Sequence, residues 1–154
     1  MTKFLLSVHV LAAIVLIGPV TVAASLFPRY AGAALRAEPT AVPVTLLLRR
    51  ITRGYMIAGI VVPVFGLATA VQLKVLGDAW LIISIILTAL AATVLAAVVV
   101  PAQTTLVNAL PKATGDEPWQ GVLRTLRMST GIFNLLWAAV VVLMIVRPGS
   151  TTGA

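Results

Sequence analysis

The chain has 154 residues, 60% of them hydrophobic and only 10% charged, with a mean hydropathy of +1.11. This exceeds the roughly 45–50% apolar share of soluble domains, so the solvent is a bilayer; at about 20 apolar residues per crossing, the length suits four spans and leaves no room for a separate catalytic domain. Cysteine is absent, which excludes disulfides, thiolate nucleophiles and cysteine metal clusters, and the formal charge of +7 is read as topology and headgroup contact rather than nucleic-acid binding, for which no aromatic-basic surface is evident.

Residues 4–27 carry no charge between Lys3 and Pro28-Arg29-Tyr30, which marks the first span. Ala23-Ala24-Ser25 resembles a signal-peptidase site, but the run far exceeds a signal region of about 7–15 apolar residues, and its basic flank follows it. Spans two and three fall at 54–76 and 79–101, a membrane hairpin turning at Lys74 to Asp78. Residues 128–146 form a fourth uncharged run of 19 residues closed by Arg147-Pro148-Gly149, long enough to cross if the helix stands near the bilayer normal. The tail Ser150 to Ala154 reads as disordered.

Connections 28–53 and 102–127 hold Arg29, Arg36, Arg49, Arg50, Arg53, Lys112, Arg124 and Arg127, eight basic residues against three (Lys3, Lys74, Arg147) on the opposite side. The distribution places both connections in the cytoplasm and both termini outside. Each connection also predicts an amphipathic helix running into the membrane. Val44, Leu47, Leu48 and Ile51 recur at helical spacing with arginines between them, and Trp119, Val122, Leu123 and Leu126 repeat the pattern before span four. Tyr30 and Tyr55 at the inner boundary, Trp80 at the outer one and Trp119 just beneath the membrane are expected as interface anchors. The predicted fold is all-α, a single four-helix transmembrane bundle with N-out/C-out topology over 1–154.

His9 is the one side chain in the spans that titrates near neutrality, and an ionisable group at membrane depth is a candidate site. It lies about 9 Å beyond Lys3 along a helix, in the outer third, with Thr69, Gln72 and Ser84 as neighbours predicted from depth. Asn134, entering span four from the other side, is not expected to reach it. One histidine cannot supply a bis-histidine haem within one copy. The carboxylates Glu38, Asp78, Asp116 and Glu117 all fall in connections, so no span carries the buried acid of an ion pathway.

Small residues supply a second candidate set. Ser84, Thr88, Ala92 and Ala96 recur every four positions on span three, and Gly66 and Ala70 share that spacing on span two, which permits close helix approach. Alanine-rich spans also produce such stripes without a role. Gly18-Pro19, Pro63 and Pro101 predict kinks, since proline donates no backbone hydrogen bond. Arg49, Arg50 and Arg53 are the candidate contact with anionic headgroups or an acidic partner, at about 1 kcal/mol per basic residue; the alternative is that they only enforce topology.

His9-Val10-Leu11-Ala12-Ala13 followed by Gly18-Pro19, Phe27-Pro28-Arg29-Tyr30, Pro63-Val64-Phe65-Gly66, Gly77-Asp78-Ala79-Trp80, Pro101-Ala102-Gln103 and Phe133-Asn134-Leu135-Leu136-Trp137 are spread along nearly the whole chain. On these fragments it resembles a family of small four-helix bacterial integral membrane proteins, a domain of unknown function, with a first span reminiscent of the copper-resistance D membrane proteins. The resemblance implies a fold and a location rather than an activity. The alanine, valine and arginine bias, with eight Arg against three Lys, fits a GC-rich bacterial genome and a bacterial plasma membrane. The function expected is that of a non-enzymatic accessory subunit that packs against and stabilises or assembles a larger membrane complex, a transporter or respiratory assembly, or a homo-oligomer. The second reading is a small binding or carrier protein holding a haem, quinone or lipid near His9.

Overall fold

The computed structural model describes residues 2–149, in which four long helices follow one another: α1 (Lys3–Leu35), α2 (Ala41–Leu73), α3 (Ala79–Lys112) and α4 (Glu117–Val146). Each is apolar and long enough to cross a membrane, and at 30 to 34 residues each measures about 45–50 Å against about 30 Å of hydrocarbon. The surplus lies largely at the end carrying most of the arginines, the basic end. There the uncharged stretches stop but the helices continue, so Pro28 sits buried inside α1 rather than ending it. The connections shrink to residues 36–40, 74–78 and 113–116.

Three helices end without glycine. Ala37, Lys74 and Arg147 take left-handed backbone at φ 60°, 59° and 44°, each just past a helix end. The Glu38 N–H then reaches back to the Ala33 carbonyl at 3.1 Å and the Val75 N–H to the Ala70 carbonyl at 3.2 Å, closing otherwise unpaired carbonyls. A left-handed non-glycine residue costs about 1–2 kcal/mol, which at Ala37 the long α1–α2 contact offsets.

Proline shapes the backbone at three places. Five-residue π-helical turns at Ala13–Ile17 and Leu95–Val99 each end two residues before a proline, Pro19 and Pro101. Four residues before Pro63, the helix breaks at Gly59 and Ile60, where the Val62 N–H bonds the Gly59 carbonyl at 3.0 Å. The cause is common to all three, since proline offers no N–H and its ring crowds the carbonyl one turn earlier. The irregularities share one level. Ile17 Cδ1 lies 3.4 Å from where a Cβ on Gly59 would stand, and the pairing of Gln103 with Thr52 puts residue 96 opposite Gly59 by antiparallel register.

The helices run up, down, up, down. α1 packs along α2, and α3 along α4. Their basic halves also join α1 to α4 and α2 to α3. The core is therefore centred on the basic half, around Phe27, Leu35, Leu106, Leu123 and Leu126, all at most 1% exposed. At its basic-end limit runs a stretch of five consecutive buried residues, Ala31-Gly32-Ala33-Ala34-Leu35, of which Ala33 and Ala34 form a separate small cluster with Ala41. Small side chains let three neighbouring helices close on that last part of α1. At the terminal end a smaller cluster of Ala70, Val75, Trp80 and Leu81, with Met144 against it, gathers α2, α3 and α4.

Candidate functional site

His9 is buried between α1 and α2, with Nδ1 2.9 Å from the carbonyl oxygen of Val62. A carbonyl only accepts, so Nδ1 carries the proton, and in the neutral ring Nε2 is left with its lone pair. Gly66 makes the seat. A Cβ there would meet Cε1 at 2.8 Å and Nδ1 at 3.1 Å, so the imidazole lies where any side chain would stand. The neighbours predicted from depth are not its partners: Thr69 and Ser84 bond backward to the carbonyls of Phe65 and Trp80, and Gln72 is exposed. Depth alone did not specify angle around the helix. Asn134 donates to Ser25 Oγ at 3.1 Å, sixteen residues or about 24 Å along α1 from His9. The ring is tied to structure at one nitrogen, and the other can act as an acceptor or ligand atom.

The small residues of span three do not form one inward face. Ser84 is buried and Thr88 half-buried, whereas Ala92 and Ala96 are exposed. Steps of four gain about 40° over a helix of 3.6 residues per turn, so the stripe winds out of the bundle. The inward row continues instead through Ala91, Leu95 and Val99. Outside, Ala92 and Ala96 join the exposed Ala89, Thr93 and Ala97 at spacings of three and four, making one low surface on α3. Ala70 is buried in the terminal-end cluster. Trp80 is also buried there, its indole N–H donating to Asp78 at 2.9 Å and its ring 5.5 Å from the Arg147 guanidinium carbon, so it ties helices together instead of facing lipid.

At the basic end the three candidate arginines part company. Arg49 is half-buried and reaches Thr104 on α3 with Nη2 at 3.4 Å, while Arg50 and Arg53 are exposed. One turn beyond Arg49, Thr52 accepts from Gln103 Nε2 at 3.4 Å and donates to the Leu48 carbonyl at 3.0 Å. Thr52 and Gln103 are fully buried. Arg49 Nε, a donor, and Gln103 Oε1, an acceptor, are both buried without a partner, as are Thr130 Oγ1 and Asn134 Oδ1 on α4. Buried polar groups without a bond cost about 1–3 kcal/mol each, so this half of the bundle carries polarity that its packing does not require.

Charge pairing is concentrated on one residue. Arg36 bonds Glu38 at 2.9 Å and Asp116 at 2.6 Å, joining the two connections at the basic end, and Gln120 also donates to Asp116, at 3.1 Å. Its hydrogen bonds to Glu38 and then Asp116 hold the guanidinium pKa above its ordinary range. No other ion pair occurs among the described residues, which leaves Arg49, Arg50 and Arg53 without a carboxylate. The Ala31–Leu35 stretch and the Gln103–Thr52 pair are the features that periodicity missed; the run of small residues just past Tyr30 was the available signal for the first.

The chain matches no protein-family model, no curated protein and no solved structure.

Proposed function

We propose that this four-helix, multi-pass membrane protein is a non-enzymatic accessory subunit of the bacterial plasma membrane, which docks a transmembrane helix of a larger assembly, or of a second copy, on α3. The supporting observation is the outward surface of Ala89, Ala92, Thr93, Ala96 and Ala97. Helices associate in lipid through close van der Waals approach rather than hydrophobic exclusion, and a low surface flanked by the exposed Ile85, Ile86 and Leu90 offers a trough for a partner's ridge. The basic end, which carries eight basic residues, faces the cytoplasm in this reading and favours an acidic partner surface. Replacing Ala92 and Ala96 by leucine tests the docking. Mild-detergent purification and mass spectrometry should show a stoichiometric partner or oligomer lost from this variant; a strictly monomeric native protein with no partner overturns the proposal.

A second reading is favoured by the seat of His9. With Nδ1 held by the Val62 carbonyl, Nε2 suits a hydrogen-bond donor such as a quinol, or an axial haem position completed by another copy. A haem would give a Soret band abolished by His9→Ala, and a quinone would be retained by native protein alone. Neither signal in haem- and quinone-replete cells ends this reading.

A further inference from the structure

Besides α3, α2 carries a shaped surface at the edge of its apolar stretch. Arg50, Gly54 and Ala58 lie at i, i+4 and i+8, hence in one row, with Ile51 and Tyr55 beside them. Together they line a groove of about 240 Å³. Its floor exists because Gly54 has no side chain, and a Cβ placed there meets nothing within 4 Å. Arg50 stands at one end, exposed and without a carboxylate among the described residues. Gly54 opens the uncharged stretch that runs to Lys74, so over about 12 Å the groove passes from a free guanidinium to purely apolar wall. Tyr55, half-buried, has the amphipathic ring favoured at that boundary.

We propose that this groove binds one anionic phospholipid, its phosphate on the Arg50 guanidinium and one acyl chain along Gly54 and Ala58. The order of chemistry matches such a lipid: a charged head that takes paired N–H donors, then hydrocarbon. Arg53, exposed three residues on, adds a second unpaired charge near the head. Arg49 takes no part, since its side chain turns towards Thr104. A transmembrane helix is the less suitable occupant, because its apolar surface would cover Arg50 without neutralising it.

The experiment compares retention of phosphatidylglycerol and phosphatidylcholine by the full chain, using native mass spectrometry from mixed nanodiscs. Native protein should keep one phosphatidylglycerol in preference. Arg50→Gln should weaken that preference about fivefold to tenfold, in line with the loss of one charge at the membrane surface. Gly54→Leu, which fills the groove from an exposed position and leaves the helix intact by circular dichroism, should abolish retention of that lipid. Lys74→Gln at the other end should change neither. Equal loss of both lipids, or no loss in the two groove variants, overturns the proposal. Full competition by inorganic phosphate shows a phosphate site without a chain groove, and dissociation of an oligomer by Gly54→Leu shows a helix as the occupant; either result also overturns it.

Discussion

Gly66→Ala is the sharpest probe of the His9 seat. The added carbon would stand 2.8 Å from Cε1 and 3.1 Å from Nδ1, closer than such atoms pack, so the ring must swing and the 2.9 Å bond to Val62 is lost. Overpacking costs about 1–3 kcal/mol and an interhelical hydrogen bond in a membrane about 0.6–2 kcal/mol. Alanine's better helix propensity returns about 1 kcal/mol, so the expected net loss is about 2 kcal/mol. Reversible unfolding in mixed micelles measures it. In a His9→Ala background the clash and the bond no longer exist, and the same substitution should be neutral or stabilising by up to about 1 kcal/mol. Were Gly66→Ala to cost as much with His9 removed as with it present, the glycine would serve only the backbone and the proposed seat would be wrong.

Thr52→Val should destabilise by about 1–3 kcal/mol because the fully buried Gln103 loses its one hydrogen bond, whereas Thr52→Val with Gln103→Leu should recover most of that loss; an additive double variant refutes the coupling. Asp116→Asn removes the carboxylate charge that pairs with Arg36, and amide exchange in residues 36–40 and 113–116 should accelerate, with a smaller difference from native protein in high salt. Because the carboxylates raise the Arg36 pKa, the contribution from that guanidinium is fully present below its unfolded value and is lost only as pH rises through the folded one. Titration of Arg36 therefore leaves this tie unchanged across the neutral range, and an exchange step between pH 6 and 9 traceable to Arg36 would contradict the assignment. Cysteines placed at Gly77 should label from outside intact cells and those at Ala37 or Ala113 should not; the reverse pattern sinks the proposed orientation.

The four helices were legible because charge-free runs long enough to cross a bilayer have few other solutions. Their ends were less so. Pro28 and Arg29 mark where the uncharged stretch of α1 stops, but buried contacts around Ala31–Leu35 carry the helix on to Leu35. The caps at Ala37, Lys74 and Arg147 lack the glycine that announces a left-handed residue. Proline positions did predict distortion at Pro19, Pro63 and Pro101, although not that two would take the form of π turns. Site geometry was the least legible part. Arg49 and Arg50 are neighbours in sequence yet differ by about 100° around the helix, which is the difference between touching Thr104 and facing outward. The stripe from Ser84 to Ala96 fails for the same reason, since spacing gives a row and only tertiary packing says which way the row drifts.

The two π turns have a consequence for insertions and deletions. Each holds one residue more than regular α-helix would need, which rotates everything on one side by about 100° relative to the other. In α1 the turn at Ala13–Ile17 thereby sets the angular phase between His9 and the Phe27 face; in α3 the turn at Leu95–Val99 does so between Ala89–Thr93 and Gln103. Removing one residue from either turn would leave hydropathy, charge and predicted topology almost untouched. It would nonetheless aim His9 away from Val62, or swing the low surface of α3 to a new azimuth, so two single-residue insertions that no hydropathy profile registers decide which surfaces the bundle presents.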